Sequence, residues 1–265
     1  MAVNVVREQW NEKAEEWGNF AQDDTSYWTR RLQTIVDLSV KHVPGGRSLD
    51  VGCGPGLLVR LLTQAGFEAH GADIAENMVQ KAAGLLEGLV PDPGARVHHC
   101  PDGGIPFDSE TAQFDLITAI GILEYITDRH AYVHKLTTIL RPGGCLVLAN
   151  TNGIRSLFVT MALCSRVLRF WLKDNAAIMR NLAATGIWSG GHVDRTRADW
   201  IYSADALDAL AAKFGLELVD SIDLYNLPGL DRDPRHRTAL GAALARRWGW
   251  NHVGVYRKIA GARAS

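Results

Sequence analysis

The run Leu49-Asp50-Val51-Gly52-Cys53-Gly54-Pro55-Gly56 is the part of the chain whose residue types and spacing can do chemistry. Glycines that follow a short apolar strand let the backbone turn sharply and approach a ligand. Asp73 follows roughly 20 residues on, where a strand-end carboxylate accepts hydrogen bonds from both hydroxyls of a ribose. That pair alone serves a nicotinamide dinucleotide or an adenosyl ligand. Two residues separate the possibilities. A dinucleotide turn needs a third glycine where this chain has the bulky Leu57, because helix and strand must close on each other there. Asp50 stands two residues before the first glycine, where a pyrophosphate has no use for a carboxylate. A ligand carrying an ammonium and a sulfonium does have a use for one.

The surrounding pattern supplies the elements that position these groups. Val6, Trp10, Ala14 and Trp17 recur at helical spacing, and a second helix runs from about Tyr27 to Val43, ended by Pro44-Gly45-Gly46. Ser48–Val51 reads as a strand and Leu57–Ala65 as a helix. Strands are expected at Glu68–Ala72, Val97–Cys100, Phe114–Ala119 and Cys145–Ala149. Helices are expected at Asn77–Leu89 and His130–Leu140, the latter stopped by Arg141-Pro142-Gly143-Gly144. From about Asn150 to Trp200 the alternation pauses for a mostly helical stretch, Leu157–Leu172 and Ala176–Ala184, which is too long for a connecting loop. A helix at Ser203–Phe214 and strands at Leu216–Asp223 and His252–Arg257 complete the chain. The fold predicted is α/β, a seven-stranded, mostly parallel, doubly wound sheet with a helical cap inserted after the fifth strand. The organisation expected is covering helices over 1–44, a ligand-binding domain over 45–150 and 201–265, and a substrate cap over 151–200.

The glycine turn and Gly71-Ala72-Asp73-Ile74 resemble the first two motifs of the class I (Rossmann-like) S-adenosylmethionine-dependent methyltransferases. Further similarities follow in order: Pro101–Phe107, Phe114–Ile126, and Leu140-Arg141-Pro142-Gly143-Gly144. The resemblance covers roughly residues 45–150 well. It implies S-adenosyl-L-methionine as cofactor, with Gly52, Gly54 and Gly56 bordering its methionine end and Asp50 ordering its amino group. It also implies that Asp73 holds the ribose and that Ile74 and Ile105 flank the adenine. Asp102 and the Gly103 amide would then read the adenine edge, with Met78 nearby, and the Ala119 carbonyl would meet the ammonium. Trp10-Asn11-Glu12-Lys13-Ala14-Glu15-Glu16-Trp17 resembles the opening of such enzymes, which makes Tyr27, Arg30 and Arg31 candidates for the cofactor carboxylate.

Substrate identity must lie outside these motifs. Ser189–Asp194 and Ile201–Leu207 are similar to a segment of ubiquinone-type O-methyltransferases, which makes His192 a candidate base for a hydroxyl acceptor. Where that group carries glutamate and histidine, this chain has Gly121 and Tyr125, so a site built from that pair is in doubt. Glu124 and Tyr125 are further candidates for contact with the substrate. Arginines and aromatics of the cap, such as Arg169 and Trp171, could bind an anionic or apolar acceptor. The reading is methyl transfer to a small molecule in secondary metabolism, with O-methylation ahead of C-methylation of a terpenoid-like substrate coupled to cyclisation. A cofactor-binding protein without activity is the alternative of another class.

The chain of 265 residues has a formal charge of −1, which gives no support for nucleic-acid binding. The four cysteines are scattered without a paired spacing, which favours small buried hydrophobes and a cytoplasmic setting. No apolar run reaches the roughly 18 residues of a membrane span. His98 and His99 adjoin on a strand and face opposite ways, so no metal site is expected. Either a monomer or a homodimer fits the sequence.

Overall fold

The computed structural model describes residues 3–107, 113–151, 187–189, 200–202, 204–224 and 251–259. Two helices open it, α1 (Val3–Gln22) and α2 (Tyr27–His42). Strands and helices then alternate: β1 (Gly46–Val51), α3 (Leu57–Gln64), β2 (Phe67–Asp73), α4 (Glu76–Leu85), β3 (Val97–His99) and β4 (Phe114–Ile120). A 3₁₀ turn (Leu123–Tyr125) leads to α5 (Arg129–Ile139) and β5 (Leu140–Thr151). The remaining elements are β6 (Ile187–Ser189), β7 (Trp200–Tyr202), α6 (Ala204–Ala212), β8 (Leu216–Leu224) and β9 (Asn251–Lys258).

Seven strands form one sheet in the order β3-β2-β1-β4-β5-β9-β8. β1 to β5 pair in parallel, and β9 runs antiparallel to both its neighbours. This is the mostly parallel α/β sheet read from the sequence. Successive residues face opposite helix layers. Ile117, Leu146 and Leu148 meet Val133, Leu136 and Leu207 on one side. Leu116, Val147 and Val255 meet Ile35, Leu58 and Leu62 on the other. Helices on both faces explain why the inner strands read as continuous apolar runs. The strand order reverses between β1 and β4, and their carboxyl ends open a crevice there, the usual ligand position in open α/β sheets.

Several boundaries differ from the expectation. Residues Arg141-Pro142-Gly143-Gly144 do not separate helix from strand. Leu140 already pairs with Phe114, and the register shifts before Cys145 pairs with Leu116. Gly144 fits this bulge because a Cβ there would stand 2.9 Å from the Asp115 carbonyl oxygen. The Asp115 carboxylate fastens the same corner, accepting from Arg141 and from the Arg47 amide at 2.9 Å. β6, after the expected cap helices, and β7, at the end of that stretch, form a separate antiparallel pair where no strand was expected. The expected helices Leu157–Leu172 and Ala176–Ala184 lie outside the described residues.

α2 starts where Ser26 accepts from the Thr29 amide at 3.0 Å, a standard N-cap. α1 crosses α4 through Asn11, which accepts from the Asn77 amide at 2.9 Å, and through a Lys81–Glu15 pair at 2.5 Å. Arg7 donates to the Pro101 carbonyl at 3.2 Å, which extends the fastening to the segment after β3. The two opening helices thereby roof the crevice.

Candidate functional site

The glycine turn is built from backbone. The Gly52 and Cys53 amides both donate to the Ala72 carbonyl, at 2.8 and 3.1 Å, so the turn is tied to the end of β2. Gly56 sits at φ +86°, and a Cβ there would lie 2.7 Å from the Ala82 Cβ of α4. No side chain can occupy that position without displacing α4. Gly54 sits at φ +52° with nothing within 4 Å of a Cβ position, which leaves its edge of the turn open to a ligand.

Two carboxylates flank the turn. Asp50 is 3 % exposed and accepts the Thr118 hydroxyl at 2.7 Å, across the β1–β4 pairing that sets the two residues side by side. Asp73 accepts the Gly54 amide at 2.8 Å on one oxygen and the Ala75 amide at 2.9 Å on the other. Burial pushes the Asp50 carboxyl up to about 7; the Thr118 bond opposes the shift and the Asp73 charge adds to it. Burial also raises Asp73, against the pull of the Ala75 and Gly54 amides. Neither carboxylate forms an ion pair with a described residue. Two such groups at one turn create a negative potential that a cationic, hydroxyl-bearing ligand would relieve.

A cleft of about 780 Å³ opens over these groups, within the size range of small-molecule sites. Ile74, Met78, Cys100, Asp102, Gly103 and Tyr132 are among the residues that line it. Its roof is aromatic. Trp10 meets Trp17 edge-on at 5.7 Å and Tyr125 at 5.8 Å, while Trp17 meets Trp28 at 5.1 Å. The Arg31 guanidinium lies 5.3 Å over Trp28 and also lines the cleft. A second hollow of about 520 Å³, beside His130, His134 and Phe214, contains neither the turn nor its carboxylates.

Of the residues expected from the sequence, Asp50, Gly52, Gly54, Asp73, Ile74, Met78, Asp102, Gly103, Arg31, Glu124 and Tyr125 all line the cleft. Others are placed differently. Gly56 does not border the cleft; it faces Ala82, and its role is the approach of α3 to α4. Ala119 is wholly buried in the sheet opposite Leu148, and the cleft begins one residue later at Ile120. Ile105 is packed in the core and not on the cleft. The Gly103 amide, expected to meet adenine, closes its own turn by donating to the Cys100 carbonyl at 2.8 Å. The side chain of Tyr27 and the whole of His192 lie outside the described residues. Cys53, Cys100 and Cys145 are buried free thiols, while Cys164 lies outside the described residues. His98 and His99 do face opposite ways, His98 toward His70 and His99 toward the Ile74 carbonyl. Sequence reasoning missed Thr118 and Tyr132. The partners of both are set by sheet register and helix docking, which leave no local signal.

Fold and site together define a class I S-adenosylmethionine-dependent methyltransferase. The profile of a methyltransferase domain family matches residues 20–221, and the chain belongs to that family. Among curated relatives, the ubiquinone biosynthesis O-methyltransferase of Bordetella avium is 31% identical over 126 residues, 46% of this chain and 49% of that protein. Its namesake in Xanthomonas campestris pv. campestris is 34% identical over 118 residues, 44% of this chain and 47% of that protein. The chain thus spans about half the length of the curated relatives it matches. Among solved structures, the [4+2]-cyclase SpnF superposes with a TM-score of 0.62 at 17% identity, covering 98% of each chain. Magnesium protoporphyrin IX methyltransferase from Synechocystis PCC 6803 with bound SAH superposes with a TM-score of 0.56 at 16% identity, covering 96% of this chain and 98% of that one. Those two likenesses concern the fold.

The residues present fit S-adenosyl-L-methionine. Asp73 keeps free lone pairs for a ribose diol after its two amide bonds. Asp50 offers a buried carboxylate to an ammonium, and the cleft is large enough for both ends of the molecule.

Proposed function

We propose that this chain methylates an oxygen of a small organic acceptor, using S-adenosyl-L-methionine. The observation that carries the reading is the pair of buried carboxylates, Asp50 and Asp73, on either side of a glycine turn in one cleft. The cofactor supplies a methyl group already activated by its sulfonium, so the protein has only to position, enclose and deprotonate. Asp73 holds the ribose end, the open edge of Gly54 borders the methionine end, and Asp50, fixed by Thr118, faces the ammonium. Trp10 and Trp17 exclude water from above. The acceptor side is the wall of Glu124 and Tyr125 with the segment 151–200. His192 takes the proton of the acceptor hydroxyl. Oxygen as the accepting atom is supported by the curated relatives, which are O-methyltransferases by name.

The test is transfer of label from methyl-tritiated cofactor into a small-molecule extract, with mass spectrometry of the product. A labelled methyl ether or ester is the expected result. Label on carbon would refute the oxygen assignment, and no label in any small molecule would refute the activity. His192→Ala should slow turnover while leaving affinity for S-adenosylhomocysteine unchanged. An unaltered rate would remove it as the base.

A further inference from the structure

Tyr132 lies in the first turn of α5, with its ring packed against the core cluster beneath the cleft. It lines the cleft, and the groups that act on its hydroxyl are Cys100, Asp73 and Asp50. Its hydroxyl oxygen is buried and has no hydrogen-bond partner among the described residues. Native proteins rarely leave such a group unmet, because water has been stripped from it without compensation. Nearby polar groups have partners. The Gly103 amide donates to Cys100, and the Gly104 amide donates to Asp102 at 3.0 Å. Burial, with Cys100, Asp73 and Asp50 nearby, pushes the phenol well above its ordinary range. It therefore stays protonated, a donor waiting for an acceptor.

We propose that Tyr132 reads the purine of the cofactor by donating its hydroxyl hydrogen bond to a ring nitrogen. The assignment rests on the reading that this cleft holds an adenosyl ligand. It adds a contact that the glycine turn and strand-end carboxylates do not provide. A purine has acceptor nitrogens on several edges, and replacing one of them with CH removes the acceptor on that edge, so the contact would make the site selective for the intact base.

The experiment measures binding of S-adenosylhomocysteine and of three analogues, in which purine N1, N3 or N7 is replaced by CH, to the wild type and to Tyr132→Phe. One analogue should bind the wild type about tenfold more weakly than the parent, the scale of one buried hydrogen bond. Tyr132→Phe should bind the parent about tenfold more weakly and show no further loss with that same analogue. The variant without ligand should melt no lower than wild type, because the change removes an unmet buried hydroxyl. A merely structural tyrosine would lower the melting temperature and leave the analogue pattern intact. Unchanged affinity of Tyr132→Phe for the parent, or equal discrimination by both proteins, would overturn the proposal. If the variant fails to fold, a wild type that binds all three analogues as tightly as the parent overturns it alone. A wild type that does not bind S-adenosylhomocysteine would instead overturn the cofactor reading.

Discussion

Replacing Asp73 with asparagine tests how the ribose is held, because the structure fixes what the exchange removes. One carboxylate oxygen accepts from the Ala75 amide at 2.9 Å and the other from the Gly54 amide at 2.8 Å. Each oxygen has one lone pair left, so the side chain can accept one hydrogen bond on each from the two ribose hydroxyls. Asparagine keeps one oxygen. Its amino group must face either Gly54 or Ala75, donor against donor, and cannot accept from the ligand. One charge-assisted bond to the ligand is lost, worth about 1.5–3 kcal/mol. That corresponds to roughly a 10- to 150-fold rise in Kd for S-adenosylhomocysteine. The empty protein should suffer less, since a neutral side chain avoids the desolvation that raises the Asp73 pKa. Isothermal titration of both proteins with S-adenosylhomocysteine and with its 2′-deoxy and 3′-deoxy forms gives the answer. The wild type should lose affinity for each deoxy ligand, and Asp73→Asn should be indifferent to at least one of them. Equal affinity of the two proteins for the parent ligand would refute the ribose role.

Asp50 gives a pH-dependent outcome. Its pKa in the fold is about 7 against an ordinary 3.8, so the folded chain keeps a proton that the unfolded chain releases. Its contribution to stability is full below pH 3.8 and is lost as pH rises to about 7, so it favours the fold in acid. Asp50→Asn should therefore melt higher than wild type without ligand at pH 8, with the gap closing toward pH 5; a gap independent of pH would refute the shift. Affinity of the wild type for S-adenosylhomocysteine should rise between pH 6 and 8 as Asp50 ionises, and Asp50→Asn should lose that rise. The two glycines of the turn should behave differently by melting temperature and titration. Gly56→Ala drives a methyl group into Ala82 and should destabilise by more than about 3 kcal/mol, beyond the 1–2 kcal/mol of the left-handed backbone alone. Gly54→Ala should incur only that backbone cost and lose ligand affinity, because its methyl group projects into open space at the cleft. Similar stability losses in both would contradict the distinction.

The alternation of strands and helices was legible because a sheet covered on both faces leaves continuous apolar runs, as at Phe114–Ile120, where five of the residues are buried. Strand order and the bulge at Arg141–Gly144 were not, because they depend on which strand arrives beside which. Asp50 and Asp73 could be found since each adjoins a feature visible in the chain, the glycine turn or a strand end. Thr118 could not. It lies 68 residues from Asp50 and meets it only through the register of β1 on β4. Gly56 has a packing role that was not legible either. A glycine next to a binding turn suggests ligand contact, yet the space a Cβ would need is taken by Ala82.

The same reasoning explains why the acceptor is harder to read than the cofactor. The groups proposed to bind the cofactor are concentrated at two strand ends and one turn, where short-range spacing carries the information. The proposed acceptor wall draws on α1 and the 3₁₀ turn after β4, which are far apart in the chain. Trp10 and Tyr125 illustrate this. Tyr125 reads as a candidate for substrate contact and Trp10 as part of a helix, and nothing in the chain links the two. Their rings meet edge-on at 5.8 Å because α1 is fastened across α4 by Asn11 and Glu15. The roof therefore depends on those polar contacts as much as on its aromatics. Residues that shape the cleft include ones, such as Asn11, that do not line it.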